Sequence, residues 1–194
     1  MTQREEVQEA VRVILRAIGE DPDREGLKET PQRVARMMDE LFAGVGLDAA
    51  EAIDTFFEAP DAGLEEAGEG EMVVLRELPF FSTCEHHLLP FFGRAHVGYI
   101  PSGKIAGASK LARALDVVAH RPQVQERMTH QLADAVYRSL KPDGVAVVLE
   151  AEHLCMLMRG VKKQGSMVVT SAARGPFSKG VISRSDFLAQ LQRR

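Results

Sequence analysis

Cysteine is scarce in this sequence: its 194 residues include only Cys84 and Cys155. Two cysteines about 70 positions apart do not form the disulfide framework of a small secreted protein. In a cytoplasmic protein, such a pair is instead a candidate for metal binding or redox chemistry. The residues beside each cysteine must therefore indicate which chemistry applies.

Long apolar runs are absent too. No segment approaches the roughly 18 consecutive apolar residues of a membrane-spanning helix, and the N-terminal MTQREEVQEA lacks the apolar stretch of a signal peptide. We therefore expect a cytoplasmic protein without a membrane partner. With 45% hydrophobic residues, the chain is long enough to bury the core of one globular domain.

Basic residues are not in excess. Lys and Arg number 24 against 28 Asp and Glu, which gives a formal net charge of −4, whereas nucleic-acid-binding proteins carry a basic patch. We expect no nucleic-acid partner. An anionic small molecule stays open as a ligand where basic residues converge locally.

Hydrophobic periodicity divides the chain into helices and strands. Helical spacing predicts an amphipathic helix over residues 3 to 18, and a second helix that Thr30 caps, Pro31 begins and that ends near Gly44. An exposed acidic loop, EAPDAGLEEAGEG, follows at 58–70. The remaining predicted elements are strands at 72–78 and 91–100, helices at 105–119 and from Pro122 to 140, strands at 145–158 and 165–173, and a serine-capped terminal helix, SRSDFLAQLQRR.

This order predicts an α+β fold. Neighbouring strands are close enough in sequence to pair antiparallel, so we expect one sheet backed by two long helices. The other face of the sheet would then need a cover, which self-association can supply. We expect an N-terminal helical region over residues 1–58 and the main domain over residues 59–194.

The segment FSTCEHHLLPFF, at 81–92, carries the strongest chemical signal. Cys84 and His87 stand three positions apart, a spacing at which a turn directs both side chains at one ion. Alternation along 145–158 places His153 and Cys155 on one face of that strand. Cys84, His87 and Cys155 make three ligands, and three protein ligands with an open fourth position are typical of catalytic zinc. Two alternatives stay open, namely a redox disulfide and two buried thiols beside hydrogen-bonded histidines.

The remaining histidines of these two motifs are candidate proton carriers. A reaction at a metal-activated water needs proton carriers of the histidine type, and His86 and His153 fit that need. His96, His120 and His130 have no partner pattern, and we interpret them as ordinary surface or core residues.

Cationic residues gather near a predicted helix start. In GASKLAR, Ser109 and Lys110 lie close to that start and Arg113 shares a helix face with Lys110, a combination suited to phosphate. Arg159 follows the second cysteine. In RPQVQER, the carboxylate of Glu126 can accept two parallel hydrogen bonds from a guanine-like edge. A solvated basic face and a solvated carboxylate are the respective alternatives.

Four segments, ELPFFSTCEHHLLPFFGRAHVGYIP, GASKLAR, RPQVQER and EAEHLCMLMRGV, resemble motifs of the GTP cyclohydrolase I family in order and spacing, over about residues 5 to 190. The resemblance implies conversion of GTP and water to 7,8-dihydroneopterin triphosphate and formate, the first step of tetrahydrofolate and pterin synthesis. It implies one zinc ion per subunit, a T-fold, and a ring-like homo-oligomer, usually a decamer, with sites at subunit junctions. The residue roles that it implies are zinc binding by Cys84, His87 and Cys155, proton transfer by His86 and His153, guanine binding by Glu126, and triphosphate binding by Ser109, Lys110, Arg113 and Arg159.

Two other functions compete with this interpretation. One is a related T-fold pterin or deazaguanine enzyme with a cysteine nucleophile, although such an enzyme needs one reactive thiol and a base rather than two thiols and a spare imidazole. The other is a non-catalytic protein that binds structural zinc or a purine nucleotide. Turnover of GTP with release of formate distinguishes the enzyme from both.

Overall fold

The computed structural model describes residues 2–58, 72–175 and Phe187. The chain forms two compact units, Met1–Ala43 and Gly44–Arg194. No helix within the described ranges is long and apolar enough to cross a membrane. Of the predicted acidic loop at 58–70, only Glu58 is described, and of the predicted terminal helix only Phe187, which is helical.

The first unit contains α1 (Gln3–Ala17) and α2 (Thr30–Leu41). A capping box begins α1: Glu5 N donates to Thr2 Oγ1 at 3.3 Å and Thr2 N donates to Glu5 Oε2 at 2.8 Å. Arg4 Nε donates to Asp39 Oδ2 at 2.5 Å, joining the two helices.

The predicted N-cap of the second helix was wrong. Glu29 is the N-cap and makes no side-chain capping hydrogen bond, Thr30 is the first helical residue, and the helix ends at Leu41. Gly44 serves packing in the second unit, where its N–H donates to His120 O at 2.9 Å. A Cβ at Gly44 would lie 2.2 Å from Val117 O, which explains the glycine without a helix end.

The second unit combines strands and helices. In chain order its elements are β1 (Phe56–Glu58), β2 (Val73–Cys84), β3 (Pro90–Ile100), β4 (Lys104–Ala106), α3 (Ala108–Ala119), β5 (Pro122–Gln123), α4 (Gln125–Leu140), β6 (Gly144–His153), α5 (Leu154–Leu157) and β7 (Val168–Arg174). Five strands form a sheet in the order β5-β2-β3-β6-β7, antiparallel except for β5 beside β2. The predicted α+β class with an antiparallel sheet is confirmed.

The two long helices α3 and α4 share one buried core with the sheet. Their apolar positions pack against inward-facing strand residues, all fully or almost fully buried: Leu111, Leu115, Val118, Met128, Leu132, Val97, Val147 and Leu149. Strands β3 and β6 approach closely at Gly93, where a Cβ would lie 1.8 Å from Glu150 O. Only glycine fits this position without a shift of the backbone.

Both long helices begin later than predicted. Residues 104–106 pair with β1 instead of entering α3, and Pro122 and Gln123 pair with the end of β2 instead of entering α4. These short strand pairings take up the residues just before each helix. The apolar spacing in the sequence continues into them, and for that reason it predicted a helix start that is too early.

The predicted strand at 145–158 was also wrong in its second half. Strand β6 ends at His153, which pairs with Phe91, and its next partner on β3 would be Pro90. Proline has no N–H for the ladder, so the strand stops there and the chain turns into α5. Cys155 therefore lies in a one-turn helix and not on a strand face.

The sheet face opposite the long helices is partly covered. Phe187 packs there with Ile100, Ala146 and Val148, and its ring occupies the space where a side chain at Gly98 would stand. Further along that face Phe81 and Phe92 stack with ring centroids 5.6 Å apart. Phe81 is 65% exposed and Val169 is 59% exposed, which leaves apolar surface in contact with solvent.

Candidate metal centre and active site

The turn between β2 and β3 presents the first two candidate ligands. Cys84 ends β2, and its carbonyl accepts hydrogen bonds from His87 N at 3.3 Å and Leu88 N at 2.8 Å. Leu88 has a positive φ of 52°, which closes the turn, and Cys84 N donates to Leu89 O at 2.8 Å. The turn places Cys84 Sγ and His87 Nδ1 3.9 Å apart.

Cys155 completes a group of three from another element. The ligand atoms of Cys84, His87 and Cys155 all lie within 4.8 Å of one another, a group that could hold a metal ion. Both thiols are free; Cys84 is buried and Cys155 half-buried. With Zn–S near 2.3 Å and Zn–N near 2.0 Å, tetrahedral ligand atoms stand roughly 3.4–3.8 Å apart. The donor set and its spacing thus fit zinc after a small contraction.

The protonation of Cys155 depends on what surrounds its thiol. Burial raises the pKa of Cys155, the hydrogen bond and charge of Cys84 raise it further, and the Arg159 cation partly opposes both effects. A divalent cation held between the thiols would reverse this balance, because it stabilises thiolates directly.

His86 lies beside the metal group without belonging to it. Its Nδ1 is 3.9 Å from Cys84 Sγ, and its ring centroid is 6.2 Å from that of His87. The side chain is exposed. A substrate atom near the metal would therefore have His86 within reach.

Two contacts fix the imidazole ring of His153, one on its flat face and one at its edge. Its ring stacks on Phe91, with centroids 4.5 Å apart and planes 5° apart. Its Nε2 lies 2.7 Å from Gln125 Oε1. Burial lowers the pKa of His153 from its ordinary value, and the negative charge of Glu126 partly opposes this effect. Glu126 itself is exposed in the first turn of α4.

A charged pair joins the turn to α4. Arg127 forms an ion pair with Glu85, which holds the pKa of the Glu85 carboxyl below its usual range. Arg127 Nε also donates to Gln123 Oε1 at 3.0 Å, and Glu85 N donates to Gln123 O at 2.9 Å. These contacts set the turn against the start of α4, next to Glu126.

Three of the predicted phosphate residues lie on α3, whereas the fourth, Arg159, is close enough for its charge to act on the Cys155 thiol. Ser109 and Lys110 lie in the first turn of α3, and Arg113 follows one turn later. Lys110 Nζ pairs with Asp54 Oδ1 at 2.5 Å, while Ser109, Arg113 and Arg159 are exposed. Within the described ranges, no hydrogen bond or ion pair links α3 cations to the cysteine–histidine group.

Sequence reasoning missed several residues that the structure brings to the site, namely Gln125, Glu85 and Arg127, and it missed Asp54, which pairs with Lys110. RPQVQER contains two of them, but periodicity does not show which polar side chain at a helix start is buried. Gln125 is only 1% exposed, a property that depends on β6 and β7 packing against it.

Comparisons with known proteins agree over nearly the whole chain. A family model described as GTP cyclohydrolase I matches residues 7–192. The chain is 55% identical over 188 residues to GTP cyclohydrolase 1 of Dehalococcoides mccartyi, covering 96% of this chain and 95% of the relative. It is 55% identical over 190 residues to GTP cyclohydrolase 1 of Carboxydothermus hydrogenoformans, covering 97% and 95%. It is 54% identical over 191 residues to GTP cyclohydrolase 1 of Halalkalibacterium halodurans, covering 97% and 96%.

A solved structure also overlaps part of the chain. The archaeosine synthase QueF-Like in the apo form shares 18% identity at a TM-score of 0.45, covering 55% of this chain and 96% of that one. An overlap of this extent supports no conclusion about the fold.

Proposed function

This chain belongs to the GTP cyclohydrolase I family and has its enzymatic activity, and we propose that GTP and water become 7,8-dihydroneopterin triphosphate and formate at the Cys84–His87–Cys155 group. The resemblance drawn from the motifs is confirmed. The observation that carries the assignment of the site is the convergence of two thiols and one imidazole within 4.8 Å.

Zinc, one ion per subunit, is the proposed metal. Two thiolates and one imidazole suit this ion, and three protein ligands leave a position for water. When bound there, zinc would lower the pKa of that water and so supply the nucleophile that attacks C8 of the purine.

The two histidines carry the proposed proton transfers. His153 protonates N7 of the purine, which favours attack at the neighbouring carbon, and its fixed ring suits a defined transfer direction. His86, exposed beside the metal group, serves the later rearrangement of the ribose.

Substrate binding is proposed to use both ends of GTP. Glu126, exposed in the first turn of α4, accepts two parallel hydrogen bonds from the guanine edge. Ser109, Lys110, Arg113 and Arg159 bind the triphosphate. Lys110 already has a carboxylate partner in Asp54, so phosphate would compete with or join that contact.

A ring-like homo-oligomer, most simply a decamer of T-fold subunits, is the proposed assembly. Two observations support self-association. Apolar residues, including Phe81 and Val169, are exposed on the sheet face opposite the long helices. Among the described residues, no hydrogen bond or ion pair joins the α3 cations to the metal group, and Lys110 pairs with Asp54 instead. A site at a subunit junction would bring α3 cations and a metal group together. The proposed location of this protein is the cytoplasm, because the family consists of soluble metabolic enzymes.

The test is turnover of GTP by purified protein with and without a chelator. We expect pterin absorbance and formate release, both lost on chelation and restored by zinc. Ring opening without pterin would limit the site to the hydrolytic half of the reaction. No reaction by zinc-loaded protein would favour a nucleotide binder, while metal-independent turnover of another substrate would favour an enzyme with a cysteine nucleophile.

A further inference from the structure

A buried polar network surrounds the Gln125 side chain at the start of α4. Its Nε2 donates to Leu149 O at 3.1 Å and to Val168 O at 2.9 Å, one carbonyl from β6 and one from β7. Thr170 Oγ1, 3.1 Å away, is a third acceptor, so the two amide hydrogens are shared among three oxygens. Gln125 is 1% exposed, so these groups have little access to water.

These carbonyls fix which end of the amide faces His153. A backbone carbonyl only accepts hydrogen bonds, so the nitrogen of the Gln125 amide must point at Leu149 and Val168. The amide oxygen then necessarily faces His153 Nε2, at 2.7 Å. A reversed amide would set oxygen against two carbonyls and nitrogen against the ring, leaving buried acceptors unpaired.

The hydroxyl groups beside Gln125 support the same orientation. Thr129 Oγ1 donates to the backbone carbonyl of Gln125 at 2.7 Å, so the only hydrogen of this hydroxyl is used there. The 2.6 Å contact between Thr129 and Thr170 must then use the Thr170 hydrogen. Thr170 Oγ1 is thereby left as an acceptor for the Gln125 amide nitrogen, as the orientation requires.

We propose that Gln125 is a positioning residue that keeps a proton on Nε2 of His153 and makes Nδ1 the nitrogen that exchanges protons with the substrate. An amide oxygen accepts but does not donate, so Nε2 must carry hydrogen whether the ring is neutral or charged. The Phe91 ring stacks on the His153 ring with planes 5° apart, and this contact keeps the His153 ring from tilting out of that plane. Together these contacts select one tautomer and one ring direction.

The inference rests on the proposed role of His153 as the acid for N7 of the purine. In that transfer the Nδ1–H bond breaks, its electron pair stays on Nδ1, and the proton forms the new bond at N7. The ring that remains is the neutral Nε2–H tautomer, whose hydrogen bond to Gln125 is unchanged. Gln125 therefore accepts from Nε2 before and after the transfer, and it selects the neutral tautomer that the transfer leaves.

The first test is a double-mutant cycle on zinc-loaded, assembled protein. We expect His153→Ala to lower kcat about 100-fold or more and Gln125→Met, of similar shape, to lower it about 10- to 100-fold with a smaller change in KM, as for residues that orient histidines at metal sites. In the double variant, Gln125→Met should add less than about a further 3-fold, because it acts through His153. Full additivity of the two losses would overturn the proposal.

A matched control separates positioning from loss of stability. Thr129→Val removes a hydroxyl from the same network without touching His153, and we expect a lower melting temperature with a fall in kcat of less than about 3-fold. Equal losses of kcat in Thr129→Val and Gln125→Met would overturn the proposal, because a structural effect would then explain both.

The tautomer is measured independently of activity. Solid-state NMR of the assembled protein labelled with 15N histidine should show Nε2 protonated for His153 in the parent chain and a tautomer mixture in Gln125→Met. Protonation of Nδ1 alone in the parent neutral ring would overturn the proposal. Full activity of His153→Ala would refute the proposed acid and this inference with it, whereas an inactive His153→Ala beside a fully active Gln125→Met would refute only the inference.

Discussion

At the scale of single residues, the proposed metal ligands and His86 differ in position. Cys84, His87 and Cys155 form the compact group, whereas the exposed His86 only borders it. We expect Cys84→Ser and Cys155→Ser to lose bound zinc, because a serine hydroxyl is a poor replacement for a thiolate. His86→Asn should keep one zinc per subunit and still lose most turnover.

Elemental analysis of purified, folded variants, beside formate release from GTP, measures this difference. Serine variants that keep both metal and activity would contradict the proposed centre. Loss of zinc from His86→Asn would instead make His86 a ligand.

Lys110 offers a second prediction at this scale. If its ammonium binds the triphosphate, Lys110→Met removes a charge-assisted hydrogen bond worth about 1.5–3 kcal/mol and raises KM for GTP about 10- to 100-fold. The matched control is Lys104→Met, since Lys104 lies over the Phe56 ring at 5.8 Å and has no proposed substrate contact. Steady-state kinetics measure both variants, and equal KM values in Lys110→Met and the parent chain would remove Lys110 from the phosphate site.

At the scale of secondary-structure elements, the close approach of β3 and β6 supports the site. β3 begins and β6 ends near the metal group, and Gly93 of β3 lies against Glu150 and Ala151 of β6 with no room for a side chain. A Cβ in Gly93→Ala would lie 1.8 Å from Glu150 O, so the strands must separate. We expect a loss of about 2–3 kcal/mol, seen as a fall in melting temperature of roughly 5–10 °C.

Gly26→Ala is the control for this substitution. A Cβ at Gly26 meets only the end of the flexible Arg24 side chain, at 3.0 Å, so the chain can adapt. Calorimetry should show a clear difference between the two variants. A Gly93→Ala protein as stable as Gly26→Ala would mean that β3 and β6 are further apart than described.

The elements also show where sequence patterns succeed and fail. Alternation and helical spacing predicted the antiparallel sheet and its two long helices, because these patterns follow from one buried face per element. The end of β6 depends on Pro90, which lies 63 positions before His153 in the chain, and no local window contains that information. Cys155 was nevertheless identified, since its residue type and neighbours indicated metal chemistry even though the strand assignment was wrong.

Gln125 marks a different limit of prediction. It stands beside Glu126 in a polar motif, and nothing in the local sequence distinguishes the buried residue from the exposed one. Its partners come from β6 and β7, which lie 24 to 45 positions later in the chain. Long-range packing therefore decides which polar side chains become part of the site.

At the scale of the whole molecule, the outer face of the sheet is the region that assembly should cover. Phe187 buries one end of this face, while Phe81, stacked on Phe92, is still 65% exposed. If the proposed ring buries Phe81 against another subunit, Phe81→Lys places a charge in an apolar interface, which is costly without a partner. We expect smaller particles and, because junctions would unite the substrate-binding parts, a loss of turnover.

Phe81→Leu is the matched control, because it keeps an apolar side chain at the same position and should preserve the particle mass. Light scattering coupled to size-exclusion chromatography gives the mass of each variant, and zinc content shows whether the subunit itself is intact. A Phe81→Lys protein that keeps zinc but loses both mass and turnover would tie catalysis to assembly. Unchanged mass in Phe81→Lys would exclude this part of the sheet from the interface, and full turnover by a smaller particle would show that each subunit holds a complete site.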